Sequence, residues 1–287
     1  ILDTRPMLNP ATVSSTVETL TVNAHRLMQM MTEVGAIGAL PNGGVRRLAF
    51  SPEDRQGRQL VQSWMEAAGM TVIIDAAGNM IGRYRGRFHH APALATGSHM
   101  DTVHNAGIYD GTYGVLAGVE VVRTLHDQGI YPDHPIEVIV FADEERTMIG
   151  SKAMAGKAKL DPNFYDHPHY EPIEMGLRFI GGDWSQLSTA RRDTDSLAAF
   201  VELHVEQGPV LEAADNPMGL VTGIVGQRRY LIDIEGSASH AGTTPMTMRQ
   251  DALVAASQIV LAVNRIGHKA DNGYGEQVAT VGAMKLS

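Results

Sequence analysis

The chain has 287 residues, enough for about two domains of roughly 150 residues each. It contains no cysteine, which excludes disulfides, thiolate metal ligands and a cysteine nucleophile, so His, Asp and Glu would have to bind any metal. The net charge of −9 argues against a nucleic-acid partner, and the sequence has no apolar run long enough for a transmembrane helix. Residues 1–10 lack the apolar segment of a signal peptide, so we predict a cytoplasmic location.

Strands and helices are predicted to alternate over most of the chain. The predicted strands are short apolar runs bounded by turn residues, at 71–74, 79–83, 92–96, 136–142 and 200–205. The predicted helices show apolar periodicity or capping residues, at 10–33 after Asn9, at 52–68 after Ser51, at 114–126 and at 150–157. This order predicts an α/β domain, residues 1–217, with a mostly parallel sheet flanked by helices.

The pattern changes from about residue 220. Strands are predicted at 220–225, 229–235 and 278–284, with an amphipathic helix at 250–266. The β-β-α-β order indicates a smaller α+β domain over residues 218–287. Because the chain starts with Ile and ends directly after a predicted strand, we expect a fragment in which both domains are truncated at their C-terminal side.

Three of the predicted strands end in side chains that could bind a metal. They are His99 with Asp101, Glu144 with Glu145, and His204 with Gln207, and Asp110 lies in a Gly-rich loop between the first two strands. Carboxyl ends of parallel strands meet at one edge of a sheet, where sites form. Imidazole and carboxylate ligands without cysteine suit Zn²⁺, Mn²⁺, Co²⁺ or Ni²⁺. A Glu beside such an ion could act as general base toward a metal-bound water.

Each of these residues alone has a simpler interpretation. A single His at a strand end is typical of a hydrogen-bonded structural group. Adjacent Glu residues are typical of a solvated surface pair, and Asp110 in Tyr-Asp-Gly is typical of a turn. The coincidence of all of them at strand ends favours a metal site, and pattern alone leaves both interpretations open.

Several motifs follow one another in a recognisable order. They are GSHMDTV at 97–103, YDG at 109–111, GVLAG at 114–118, DEE at 143–145, ELHVEQGPVLE at 202–212, GIVGQRR at 223–229 and SHAGTTPM at 239–246. In this order they resemble the N-carbamoyl-L-amino acid hydrolase and allantoate amidohydrolase family of the di-metal aminoacylase/carboxypeptidase clan. The resemblance runs from about residue 44 to the end of the chain. It implies a zinc-exopeptidase-like fold with a ferredoxin-like lid domain.

The resemblance also implies a metal site with defined ligands. Two divalent ions per subunit would be bound, with zinc as first choice and Mn, Co or Ni as alternatives. The implied ligands are His99, Asp110, Glu145 and His204, of which Asp110 would bridge the two ions and Glu145 would bind the second. In the family a longer stretch precedes the Gly-Ser at 150–151, so no role is assigned to Arg146.

Further residues receive implied roles in catalysis. Glu144 would be the general base, and Asp101 would hold the ring of His99 through its other nitrogen. Gln207 would contact substrate. His240 would bind the substrate carbonyl and stabilise the oxyanion from across a dimer interface in the lid domain.

The implied protein is a homodimeric, metal-dependent amidohydrolase that acts on the C–N bond of a linear carbamoyl or ureido compound. N-carbamoyl-L-amino acids, allantoate and related ureido acids are its candidate substrates. One alternative is an aminoacylase or dipeptidase of the same clan, in which a carboxylate is expected at the position of His204. The other is an inactive fragment or homologue that acts only in self-association.

Overall fold

The structure, a computed structural model, describes residues 20–268 and 278–286. The chain divides into two compact units, Ile1–Met218 and Gly219–Ser287. The boundary expected from sequence, between residues 217 and 218, lies one residue before this division. No helix in the described part of the chain is long and apolar enough to span a membrane.

The first unit is built on a five-stranded sheet. Its strands are β1 (Thr71–Ile74), β2 (Met80–Tyr84), β3 (Ala93–His99), β4 (Ile136–Phe141) and β5 (Leu197–Val201), in the order β1-β2-β4-β3-β5. β3 is parallel to both β4 and β5, whereas β2 is antiparallel to β1 and β4. The predicted α/β fold with a sheet flanked by helices is therefore confirmed. The mostly parallel sheet is in fact mixed, because the predicted strand pair joins it as an antiparallel hairpin.

Helices surround this sheet. They are α1 (Ala24–Gly35), α2 (Pro52–Ala67), α3 (Thr112–Asp127), α4 (Ile149–Met154), α5 (Ile173–Phe179) and α6 (Val210–Ala213). Short 3-10 helices at Pro162–Tyr165, Trp184–Ala190 and Thr194–Ser196 interrupt the long polar segment before β5. The sequence predicts no helix in that segment, so α5 is a finding of the structure.

Capping residues fix where the first two helices begin. Ser51 accepts the backbone N–H of Asp54 at 3.1 Å, so α2 begins as predicted. A helix that begins after Asn9 is wrong for the described residues, because the chain is not helical just before Asn23. There the Asn23 side chain accepts the N–H of Arg26 at 3.0 Å and begins α1, whereas residues 1–19 lie outside the described part.

Apolar side chains cover both faces of the sheet. Val138 and Val140 of β4 lie in the core that includes residues of α1, α2 and α3, while Ile139 packs on the opposite face with Met154 of α4. Successive residues of a strand point to opposite faces, so a strand covered on both sides is apolar throughout. This burial explains the continuous apolar run from which β4 was predicted.

The second unit contains α7 (Ala252–His268) and a 3-10 helix at Met246–Met248. The amphipathic helix predicted at 250–266 is thus found. None of the three predicted strands of this unit is a strand in the described residues, where an isolated bridge joins Ser237 to Gln250. An apolar pattern indicates which face of a strand would be buried. A strand also needs a neighbouring strand to form its hydrogen bonds. Leu220 is instead 92% exposed.

Candidate metal centre

Parallel pairing of β3 and β5 brings two histidines together. Thr96 of β3 lies opposite Val201, the last residue of β5. Three further residues along each chain lead to His99 and His204, whose ring centroids are 5.9 Å apart. The strand predicted at 200–205 includes His204, whereas β5 ends at Val201 and His204 follows it. The predicted convergence at the strand ends is nevertheless what the structure shows for this pair.

The loop before α3 adds a carboxylate to the two histidines. His204 Nε2 lies 3.4 Å from Asp110 Oδ1. Within the described part of the chain, His99, Asp110 and His204 form a group that could hold a metal ion, with one ligand atom of each within 4.8 Å of the others. Gly111, with a φ of 62°, lets this loop approach His99, because a Cβ there would lie 2.5 Å from the ring.

Hydrogen bonds to carbonyl groups determine which ring nitrogens can bind a cation. His99 Nδ1 donates to the carbonyl oxygen of Asp101 at 2.9 Å, and His204 Nδ1 donates to that of Val205 at 2.8 Å. Because a carbonyl oxygen can only accept, each Nδ1 carries a proton, and the Nε2 of the neutral ring keeps its lone pair. Metal-binding histidines are oriented in the same way. Two Nε2 atoms and the Asp110 carboxylate therefore fit a divalent cation such as Zn²⁺.

Asp101 connects the ends of β3 and β4. Its carboxylate accepts the backbone N–H groups of Glu144 at 3.2 Å and Glu145 at 3.1 Å. The family resemblance predicts that this carboxylate accepts a hydrogen bond from His99, but its nearest oxygen is 3.8 Å from Nδ1 and the backbone carbonyl of Asp101 accepts instead. The Asp101 carboxylate is buried, and these two backbone N–H groups satisfy its hydrogen-bonding capacity. Burial raises the pKa of Asp101 to about 7, although the nearby His99 acts to lower it.

Glu144 and Glu145 follow β4 and differ in their surroundings. Glu144 Oε2 lies 3.6 Å from His99 Nε2, and the Glu144 side chain is 38% exposed. Glu144 therefore lies next to the three-residue group and is also open to solvent. Burial and the negative charges of Asp110 and Glu144 raise the pKa of Glu145, while His99 and His204 act to lower it. The Glu145 carboxylate therefore lies in the electrostatic environment of the three-residue group without belonging to it.

Gln207 and His240 are the remaining predicted site residues. Gln207 Nε2 donates to both carboxylate oxygens of Asp110 at 3.0 Å, which places this amide beside the three-residue group. His240 belongs to the second unit. Its Nδ1 accepts the backbone N–H groups of Gly242 at 3.0 Å and Thr243 at 3.1 Å. The neutral ring thus carries its proton on Nε2, which is available as a donor.

The structure adds residues around the site that the sequence did not single out. Ser98 donates a hydrogen bond to Glu202, which ties the chain before His204 to β3. Arg146 pairs with the buried Asp143 and stacks over the rings of Phe50 and Tyr170. The ELHVEQ motif contained a signal for Glu202, whereas the surroundings of Arg146 depend on residues far apart in sequence.

Known proteins resemble this chain over most of its length. The family model described as peptidase family M20/M25/M40 matches residues 95–283. The N-carbamoyl-L-amino acid amidohydrolase of Geobacillus stearothermophilus is 43% identical over 272 residues, covering 92% of this chain and 65% of that protein. Allantoate deiminase 1 of Glycine max is 37% identical over 234 residues, covering 78% of this chain and 48% of that protein.

Solved structures agree with these relatives. The crystal structure of an amidase of the hydantoinase/carbamoylase family from Burkholderia vietnamiensis matches with a TM-score of 0.74 and 36% identity, covering 89% of this chain and 62% of that one. The chain spans about two thirds or less of the length of these relatives. The resemblance inferred from the motifs is confirmed. Because the family model matches more than half of its residues, the chain belongs to peptidase family M20/M25/M40.

Proposed function

We propose that the protein containing this chain hydrolyses the C–N bond of a linear carbamoyl or ureido compound. The observation that carries the proposal is the convergence of His99, Asp110 and His204, with Glu144 beside them, at the ends of parallel strands. Relatives named N-carbamoyl-L-amino acid amidohydrolase, allantoate deiminase and ureidoglycolate hydrolase support the substrate class. N-carbamoyl-L-amino acids, allantoate and related ureido acids are the candidate substrates.

The proposed cofactor is a pair of divalent metal ions, with zinc as first choice and Mn, Co or Ni as alternatives. His99, Asp110 and His204 would hold one ion, and Asp110 together with Glu145 would hold the second. A bound divalent cation supplies a Lewis acid for the substrate carbonyl and lowers the pKa of a coordinated water. The imidazole and carboxylate donors of this chain suit each of these ions.

Glu144 is the proposed general base. Its carboxylate is next to His99 Nε2 yet partly exposed, so it can meet a water molecule that attacks the substrate carbonyl. Glu144 accepts a proton from this water as the new C–O bond forms. It then delivers the proton to the leaving nitrogen as the C–N bond breaks, which balances the proton over the cycle.

Gln207 and His240 are proposed to bind substrate. The Gln207 amide lies at Asp110 and can contact a polar group of a substrate held there. The protonated Nε2 of His240 suits a donor to the developing oxyanion. We propose that the second unit is a ferredoxin-like lid that also mediates homodimerisation, and that His240 of one subunit serves the site of the other.

A panel of substrates tests this proposal. The intact protein, freed of metal with a chelator and reloaded with Zn²⁺, Mn²⁺ or Co²⁺, is assayed with N-carbamoyl, ureido, N-acetyl and dipeptide substrates. We expect turnover of a carbamoyl or ureido substrate that requires the metal. Turnover of only N-acetyl or dipeptide substrates would indicate an aminoacylase or dipeptidase. A stable protein that self-associates but neither binds metal nor turns over any substrate would indicate an inactive homologue.

A further inference from the structure

Arg47 is a buried arginine that no step of the proposed chemistry uses. It lies between α1 and α2 and is 1% exposed. Its guanidinium donates to the carbonyl of Met100 through Nε at 2.8 Å and to the Thr112 hydroxyl through Nη2 at 3.0 Å. Nη1 donates to the carbonyls of Val34 and Ile37 at the end of α1, both at 3.1 Å.

Two of these bonds hold the segments that carry the proposed ligands. Met100 lies between His99 and Asp101, and Thr112 follows Asp110 by two residues as the first residue of α3. One planar group thus bridges the chain after β3 and the start of α3. The carbonyl groups at the end of α1 hold the other side of the guanidinium.

The backbone of Arg47 strengthens this attachment. Its N–H donates to Thr102 Oγ1 at 2.8 Å, and its carbonyl accepts the N–H of Thr102 at 2.8 Å. Arg47 therefore holds the chain on both sides of Asp101, at Met100 through its side chain and at Thr102 through its backbone.

The chemistry of the contacts requires arginine. All acceptors of the guanidinium are neutral oxygens, and the nearby carboxylates of Asp54 and Asp101 favour its charge without a hydrogen bond to it. Burying a charge is costly unless its donors are satisfied. The five N–H donors of the rigid, planar guanidinium can form hydrogen bonds with three chain segments at once. The compact ammonium of lysine cannot do this.

We propose that Arg47 is a positioning residue that fixes the distance between His99 and Asp110 in the metal centre. The inference rests on the proposed function, because it assumes that these two residues bind a cation. Arg47 contacts neither ligand side chain and acts through Met100 and Thr112. Loss of its bridge lets the start of α3 move relative to the end of β3, which weakens the site while the sheet and helices persist.

Cation binding by variants of the intact protein tests the inference. Co²⁺ is titrated into metal-free protein and followed by its visible absorption spectrum, with denaturant unfolding measured in parallel. We expect Arg47→Lys and Thr112→Val to weaken Co²⁺ binding by about 10- to 100-fold and to alter the spectrum. Thr112→Ser, which keeps the hydroxyl, should bind Co²⁺ as the wild type does. If Arg47→Lys does not fold, the comparison of Thr112→Val with Thr112→Ser still tests the inference.

Arg26→Met is the matched control. Arg26 also ties α1 to α3, but through Glu120, which lies eight residues beyond Thr112, and through Asp127 at the end of the helix. It forms no hydrogen bond with Met100 or Thr112. It should lower stability without changing Co²⁺ affinity. Wild-type affinity in Arg47→Lys and Thr112→Val, or an equal loss in Arg26→Met, would overturn the positioning role alone. A wild-type protein that binds no Co²⁺, Zn²⁺ or Mn²⁺ would contradict the proposed function and this inference together.

Discussion

The carboxylate of Glu144 lies beside the proposed ligands without being one of them, which allows its chemistry to be separated from assembly of the site. Glu144→Gln keeps the shape of the side chain but removes the proton acceptor. We expect turnover to fall by about 10²–10⁴-fold, while metal content by elemental analysis stays unchanged. The exposed Glu66, changed to Gln, is the control for loss of one charge. Near-normal turnover in Glu144→Gln would disprove the general-base assignment.

Two glycines with nearly the same positive φ distinguish the effect of backbone strain from that of steric crowding. Gly111 and Gly129 have φ values of 62° and 64°, so alanine at either should cost at least about 1–2 kcal/mol of stability. A Cβ at Gly111 would also meet the His99 ring, whereas a Cβ at Gly129 would meet nothing within 4 Å. We expect both variants to unfold at lower denaturant concentration but only Gly111→Ala to lose metal affinity. Equal metal affinity of the two would show that the Asp110 loop does not need this close approach.

At the scale of secondary-structure elements, a buried carboxylate joins α1 to α3. Glu120 is buried and accepts hydrogen bonds from Arg26 at 2.6 and 2.8 Å, from the N–H of Asn23 at 2.8 Å and from Thr124 at 3.1 Å. Burial alone would raise its pKa, but these donors outweigh burial and lower the pKa of Glu120. Its carboxylate therefore stabilises the fold above the unfolded-state pKa of about 4.3, and the benefit is lost as the pH falls through the lower folded-state value.

Glu120→Gln should consequently destabilise the protein by about 2 kcal/mol at neutral pH. The difference from the wild type should shrink as the pH falls below about 4.3, because the wild-type carboxyl group then becomes neutral as well. Urea unfolding followed by circular dichroism at several pH values measures this difference. Glu33→Gln, which removes an exposed charge from α1, is the control. A difference independent of pH would show that packing rather than charge makes Glu120 stabilising.

Elements with local signals could be predicted from the sequence, and those that depend on distant partners could not. The cap at Ser51 and the apolar run of β4 are local, and both elements are found where expected. The strands of the second unit were predicted from apolar pattern alone and lack paired neighbours in the described residues. Arg46 and Arg47 look alike in sequence, yet one is exposed and the other is buried beside the proposed metal centre. His99 and His204 were predictable because parallel strand ends meet by a general rule.

At the scale of the whole molecule, our proposal assigns the oxyanion donor to a residue of the second unit. His240 has its protonated Nε2 free of the backbone bonds that hold Nδ1, as an oxyanion donor requires. The proposed homodimer places this donor in the active site of the other subunit. In that arrangement, neither subunit alone has a complete set of catalytic groups, and activity depends on association.

Mixed dimers distinguish sharing of His240 from use within one subunit. Glu144→Gln and His240→Ala should each be nearly inactive alone. If His240 is shared, a hybrid of the two has one site with both groups intact, and random mixing should restore about one quarter of wild-type turnover. A mixture refolded or co-expressed together is compared with the same proteins combined after assembly, which should stay inactive. No recovery in hybrids whose formation is verified by differential tagging would place His240 in the site of its own subunit.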